Sequence, residues 1–124
     1  MNDLGFQELK VVALAVNDMA RARHFYQATL DLPSATLGGE SGFTLGNLTL
    51  MLKLAGNDWP ARPSRDLNPR LTIAVDDAPN TERLLTARGV TVSDPVQLYE
   101  EGKYYVGAFI DSEGNRLWFC SART

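Results

Sequence analysis

Few side chains in this sequence could perform chemistry on their own. There is one histidine, His24, and one cysteine, Cys120. His24 sits beside Phe25 and Tyr26 in a stretch of helical spacing, where a lone histidine reads as a surface or boundary residue and not as a metal ligand. Cys120 has no partner histidine predicted nearby, so it reads as a buried, inert thiol. Glu40, Glu100, Glu101 and Glu113 are carboxylates with no histidine to join them in a metal site. The remaining candidates, Met51, Lys53, Trp59, Arg70, Tyr104, Tyr105 and Trp118, suit binding better than catalysis. Arg70 is the most informative, because it falls at the head of a strand whose other residues are Leu71, Thr72, Ile73, Ala74 and Val75. A buried, unpaired charge is costly, so an inward-facing Arg70 must find a carboxylate or keep water.

The elements that position these residues are written twice. Val11 to Val16 is a short apolar, partly β-branched run, typical of a strand covered on both faces. Asn17 or Asp18 can cap a helix whose apolar residues Met19, Ala22, Phe25, Tyr26 and Leu30 recur at helical spacing, until Leu32-Pro33 ends it. Shifted by 59 residues, Ala13-Leu14-Ala15-Val16-Asn17-Asp18 lies over Thr72-Ile73-Ala74-Val75-Asp76-Asp77. Three short strands follow the first helix: Ser34 to Leu37, Ser41 to Leu45 and the strictly alternating Leu48 to Leu54, with Gly38-Gly39 and Gly46-Asn47 as turns. The second half repeats the order. Leu71 to Val75 is a strand, Asp76 or Asp77 an N-cap with Pro79 in the first turn, and Gly89 the helix terminator. Val90 to Val92, Tyr104 to Ile110 and Arg116 to Ser121 then supply strands, the last two joined by the turn Asp111 to Asn115.

The predicted architecture is a single α+β domain over residues 1–124. It has a first βαβββ half at 9–54, a linker at 55–68 and a second βαβββ half at 69–122. The linker is long for a connection within a compact domain, which suggests a joint or, given Trp59, a lid. Two such halves predict an eight-stranded curved mixed sheet with helices on its outer face. The more apolar face of each strand should meet the helices, which leaves Val11, Ala13 and Ala15, Thr49, Met51 and Lys53, Arg70, Thr72 and Ala74, and Arg116, Trp118 and Cys120 on the concave side.

Composition sets the outer bounds. At 124 residues, with 44% apolar and 22% charged side chains, the chain is an ordinary globular protein. Its net charge of −3 and its lack of a basic stripe give nucleic-acid binding no electrostatic footing. One cysteine excludes an internal disulfide and any multi-cysteine zinc site, which fits a reducing compartment. The N-terminal Met-Asn-Asp-Leu-Gly lacks a basic and an apolar leader segment, so a cytoplasmic protein with no membrane partner is expected.

The duplicated strand-helix-strand-strand-strand unit, the phrase Val16-Asn-Asp-Met-Ala-Arg-Ala-Arg-His-Phe-Tyr26 ahead of Leu30-Asp-Leu, and the turn Asp111-Ser-Glu-Gly-Asn115 together resemble the vicinal-oxygen-chelate superfamily. That group is also known as the glyoxalase/bleomycin-resistance/dioxygenase group, and the resemblance covers essentially the whole chain. It implies metal-ligand positions at Val11, Met51, Arg70 and Trp118. None of these is a usual ligand for a hard metal. The character is therefore closest to the metal-free bleomycin-resistance-like members, with no cofactor and no metal-dependent lyase activity expected.

The resulting expectation is a homodimer, formed because family members cover their sheet edges with a second chain. It would bind a small, anionic aromatic compound in a concave cavity lined by Met51, Lys53, Arg70 and Trp118, with Trp59, Tyr104 and Tyr105 as walls. Two alternatives stand beside it. One is a metal-dependent glyoxalase-type lyase, isomerase or dioxygenase whose ligands lie elsewhere, and the other is a structural or regulatory domain without a ligand.

Overall fold

The computed structural model describes residues 3–37, 40–56, 61–99 and 101–123. Gly38-Gly39, Trp59 and Glu100 lie outside the described residues. The chain divides into two compact units, Met1–Ala61 and Arg62–Thr124.

The first unit runs β1 (Val11–Val16), α1 (Met19–His24), a π-helical stretch (Phe25–Thr29), β2 (Ser34–Leu37), β3 (Glu40–Leu45) and β4 (Leu48–Leu54). Its sheet has the order β1-β4-β3-β2, with β1 parallel to β4 and the other pairs antiparallel. Asp18 opens α1, its carboxylate accepting the backbone N–H of Arg21 at 3.0 Å. The helix does not continue regularly to Leu32 as its spacing predicts. From Phe25 it widens, with the Leu30 N–H reaching back five residues to the Phe25 carbonyl, and Asp31 follows at positive φ. The wider turn keeps two adjacent aromatics inside. Phe25 and Tyr26 are both buried, in an edge-to-face pair with centroids 5.2 Å apart, and Tyr26 also meets Phe43 at 5.9 Å.

Leu14, Val16, Leu50 and Leu52 are buried with these aromatics, whereas Met51 and Lys53 on the alternate face of β4 are only half-buried. The parity expected for the fourth strand therefore holds, and a slip of one residue would have exchanged the two sets. His24 is exposed.

The second unit runs β5 (Thr72–Ala74), α2 (Ala78–Ala87), β6 (Thr91–Tyr99), β7 (Tyr104–Ile110) and β8 (Arg116–Ala122). Its order, β5-β8-β7-β6 with β5 parallel to β8, repeats that of the first unit. Asp77 is the N-cap of α2, accepting the Asn80 N–H at 3.2 Å, and the buried Ser121 hydroxyl takes the Ala78 N–H at 2.8 Å. Both bonds satisfy donors that a helix start leaves without partners. Gly89 ends the helix at φ 79°. Leu85, Leu117 and Phe119 form the buried face, and Cys120 on the alternate face of β8 is half-buried, not buried as expected.

β6 is much longer than the Val90–Val92 strand read from the sequence. Pro95 argues against a continuous strand, but β6 is the edge of its sheet and its register against β7 shifts between Val92 and Gln97. Glu82 of α2 accepts the Val96 N–H at 2.7 Å inside that irregular stretch, which supplies a partner that the ladder does not. Among the described residues no helix is long and apolar enough to cross a membrane.

Candidate functional site

In the parallel pair β5–β8, Thr72 lies opposite Trp118, and the Trp118 N–H bonds to the Leu71 carbonyl at 3.0 Å. This register brings Arg70, just ahead of β5, onto the indole. The Arg70 Cζ stands 3.4 Å above the Trp118 ring centroid. Arg70 is exposed, so this cation–π contact belongs at the weak end of the range, about 0.5–1 kcal/mol. Among the described residues no carboxylate pairs with Arg70.

Arg116 lies two residues before Trp118 on the same face of β8, with its Cζ 5.4 Å from the indole centroid. Its guanidinium is extensively bonded. Nε donates to the Arg65 carbonyl at 2.7 Å, Nη1 to Asp94 Oδ2 at 3.2 Å and Nη2 to Asp66 Oδ1 at 3.1 Å. The two carboxylates differ in setting. The Asp94 side chain is 34% exposed and its Oδ2 also accepts the Ser93 hydroxyl at 2.8 Å, whereas the Asp66 side chain is 89% exposed.

The loop that carries Arg65 and Asp66 is fixed from below by the turn between β7 and β8. Asn115 is fully buried, and its Oδ1 accepts the Ser64 N–H at 2.9 Å while the Arg116 N–H donates to the Ser64 carbonyl at 3.1 Å. Asp111 holds the turn itself: its Oδ1 accepts the Glu113 and Asn115 N–H groups at 2.8 and 2.9 Å, and its Oδ2 accepts the Asn115 amide at 3.1 Å. Gly114, at φ 100°, supplies the backbone conformation that the turn requires. The Ser64 hydroxyl then accepts the Asp66 N–H at 2.9 Å. The stretch read as a linker is thus an ordered wall where residues 64–66 are concerned.

Together these groups line a cleft of about 250 Å³ formed by Arg65, Asp66, Leu67, Arg70, Arg116 and Trp118. That is just below the roughly 300–1,000 Å³ of typical small-molecule pockets. Three arginines line the cleft with Asp66, and Asp94 beside it also pairs with Arg116, so three positive and two negative side chains leave the balance positive by one charge and favour an anion.

Of the residues singled out in the sequence, Arg70 and Trp118 are brought together here. Tyr104 and Tyr105, at the start of β7 opposite Ala122 and Ser121, do not line this cleft. Met51 and Lys53 belong to the first unit, where Met51 lies opposite Ala13. Arg65, Asp66 and Leu67 were not foreseen. Only the tertiary bonds of Ser64 and Arg116 place them, and no local pattern announces that. Arg116 could have been singled out, since a strand puts residues i and i+2 on one face and Trp118 was already a candidate.

A divalent metal does not suit these residues. Among the described residues no group of three or more His, Cys, Asp or Glu side chains is placed to hold one. Val11, Met51 and Trp118 offer no hard donor, and the Arg70 guanidinium over Trp118 would repel a cation.

The sequence matches the family model described as Glyoxalase/Bleomycin resistance protein/Dioxygenase superfamily over residues 8–119. Similar solved structures include a Bacillus anthracis protein assigned to the glyoxalase family (19% identity, TM-score 0.79), with 99% of this chain and 100% of that one covered. A Sphaerobacter thermophilus member of the same superfamily is 18% identical with a TM-score of 0.78, covering 95% of this chain and 99% of that one. A lactoylglutathione lyase from Agrobacterium tumefaciens is 18% identical with a TM-score of 0.70, covering 94% and 95%. At such identities the likeness concerns the fold. No curated protein matches the sequence significantly.

Proposed function

The chain belongs to the glyoxalase/bleomycin resistance protein/dioxygenase superfamily, and within it we propose a metal-free, cytoplasmic, homodimeric binding protein that takes a small anionic aromatic compound. The observation that carries this reading is Arg70, an exposed guanidinium at the rim of a cationic cleft, stacked on Trp118 and without a carboxylate partner among the described residues. A ligand carboxylate or phosphate would supply that partner. Such a bond to a charged donor is worth about 1.5–3 kcal/mol.

No turnover forms part of this reading. The cleft presents arginines and an indole, and no side chain lining it other than Asp66 could accept a proton from a substrate near neutral pH.

One observation favours a second reading, a domain without a ligand: Arg70 itself covers the face of Trp118 on which a planar ring would stack. Calorimetric titration with benzoate and phenyl phosphate at low salt distinguishes the two. The expected result is saturable binding that Arg70→Ala weakens about tenfold or more, while the lost contact with Trp118 lowers the unfolding midpoint by no more than about 5 °C. Binding indifferent to that substitution, or no binding of any anionic aromatic, overturns the proposal in favour of the second reading.

A further inference from the structure

The cleft already contains an anion of its own, the Asp66 carboxylate, in contact with Arg116. Arg116 could be neutralised by Asp94 alone, which is more sheltered and is bonded to the Ser93 hydroxyl. Asp66 reaches the same guanidinium from the loop of residues 64–66, with its side chain almost wholly in water. An exposed pair of this kind contributes little to folding. It does, however, occupy Nη2 of Arg116, a residue that lines the cleft with Arg70 and Arg65.

We propose that Asp66 is a built-in competitor, a carboxylate that a ligand's anionic group displaces from Arg116 and that thereby sets which anions the site accepts. The proposal rests on the anion-binding reading above and assigns to Asp66 a role that no bond within the fold requires. Displacement is local: the Ser64 wall stays bonded to Asn115 and Arg116 through its backbone, so only the Asp66 side chain has to turn away. Arg116 remains held by Asp94 and by the Arg65 carbonyl, and its freed N–H groups face the incoming oxygen. A weakly basic or singly bonding anion gains little in this exchange. A carboxylate or phosphate that can also reach Arg70 gains two guanidiniums for the loss of one exposed pair, so the competitor selects for ligands that span both.

The test is calorimetric titration of benzoate into the wild type, Asp66→Asn, Arg70→Ala and Asp76→Asn at low salt. Asp76 is an exposed carboxylate that does not line the cleft, and its substitution changes the net charge by the same amount. Asp66→Asn is expected to bind about three- to fivefold more tightly than the wild type, while Asp76→Asn changes affinity by less than about twofold. Binding by Asp66→Asn where the wild type binds too weakly to measure supports the proposal equally. If Arg70→Ala weakens binding but Asp66→Asn leaves it unchanged, weakens it or improves it no more than Asp76→Asn does, the competitor role is overturned and the anion site stands. If no variant binds benzoate, the anion site and the competitor role fall together.

Discussion

The two units share one plan and differ in what they place on it. Each has the first strand parallel to the last and at the edge of a four-stranded sheet, and each has a helix opened by an aspartate cap. Ala13 and Thr72 correspond in the internal repeat, and their ladder partners are Met51 in the first unit and Trp118 in the second. At matching positions, then, one unit presents a flexible thioether and the other a flat indole carrying an arginine. The strands, caps and core of both units belong to the scaffold. The cationic cleft belongs to the second and forms where Arg116 and Trp118 of β8 meet the segment before β5, which the repeat leaves unspecified.

If the shared plan is carried by the cores, truncating either core should cost most. Tyr26→Ala in the first unit and Phe119→Ala in the second, both fully buried, are each expected to lower stability by about 3–5 kcal/mol in denaturant unfolding. A cost below about 1 kcal/mol for one of them would show that its unit is not built on the aromatic named.

Packing around the third strand of each unit, β3 and β7, separates the units more finely. A Cβ on Gly107 would lie 2.9 Å from Val96 Cγ2, 3.0 Å from Phe119 Cζ and 3.2 Å from the Asp94 carbonyl, whereas one on Gly42 would meet the Thr49 methyl at 3.0 Å and the Leu50 carbonyl at 3.2 Å. Gly107→Ala is therefore expected to destabilise by about 1–2 kcal/mol. Gly42→Ala should cost less, since its new Cβ presses on the side chain of one neighbouring strand only, whereas that of Gly107 meets side chains from both, Val96 and Phe119. Equal costs in urea titrations would contradict the asymmetry.

The smallest effect tests the likeness itself. Asp18→Ala and Asp77→Ala each remove an N-cap bond and should each cost about 1 kcal/mol, measured as the shift in thermal midpoint. A twofold or larger disparity would mean that the helix with the π-helical continuation depends on its cap differently from the regular one.

What could be read from the sequence follows the same division. The repeat of Ala13–Asp18 over Thr72–Asp77 was enough for the repeated succession of elements but not for the order of strands within each sheet, and strict alternation from Leu48 to Leu54 gave β4 its limits and the face on which Leu50 and Leu52 are buried. Local spacing did not reveal the π-helical turn at Phe25, because burying two adjacent aromatics is a tertiary demand. Nor did it reveal β6 beyond Val92, because the Glu82 carboxylate that supports Val96 comes from another element. In the cleft, Arg70 and Trp118 were visible as odd residues on apolar strands. Arg65 and Asp66 were not, since they reach the site only through bonds spanning about fifty residues of sequence.

The bond from the Ser64 N–H to the buried Asn115 side chain makes this amide a clock for the cleft. Any opening that carries the whole wall away from β8 must break that bond and expose the amide to solvent, whereas a swing of the Asp66 side chain alone leaves it shielded. The hydrogen–deuterium exchange rate of one backbone proton thus separates a site that breathes from one whose occupant merely changes place.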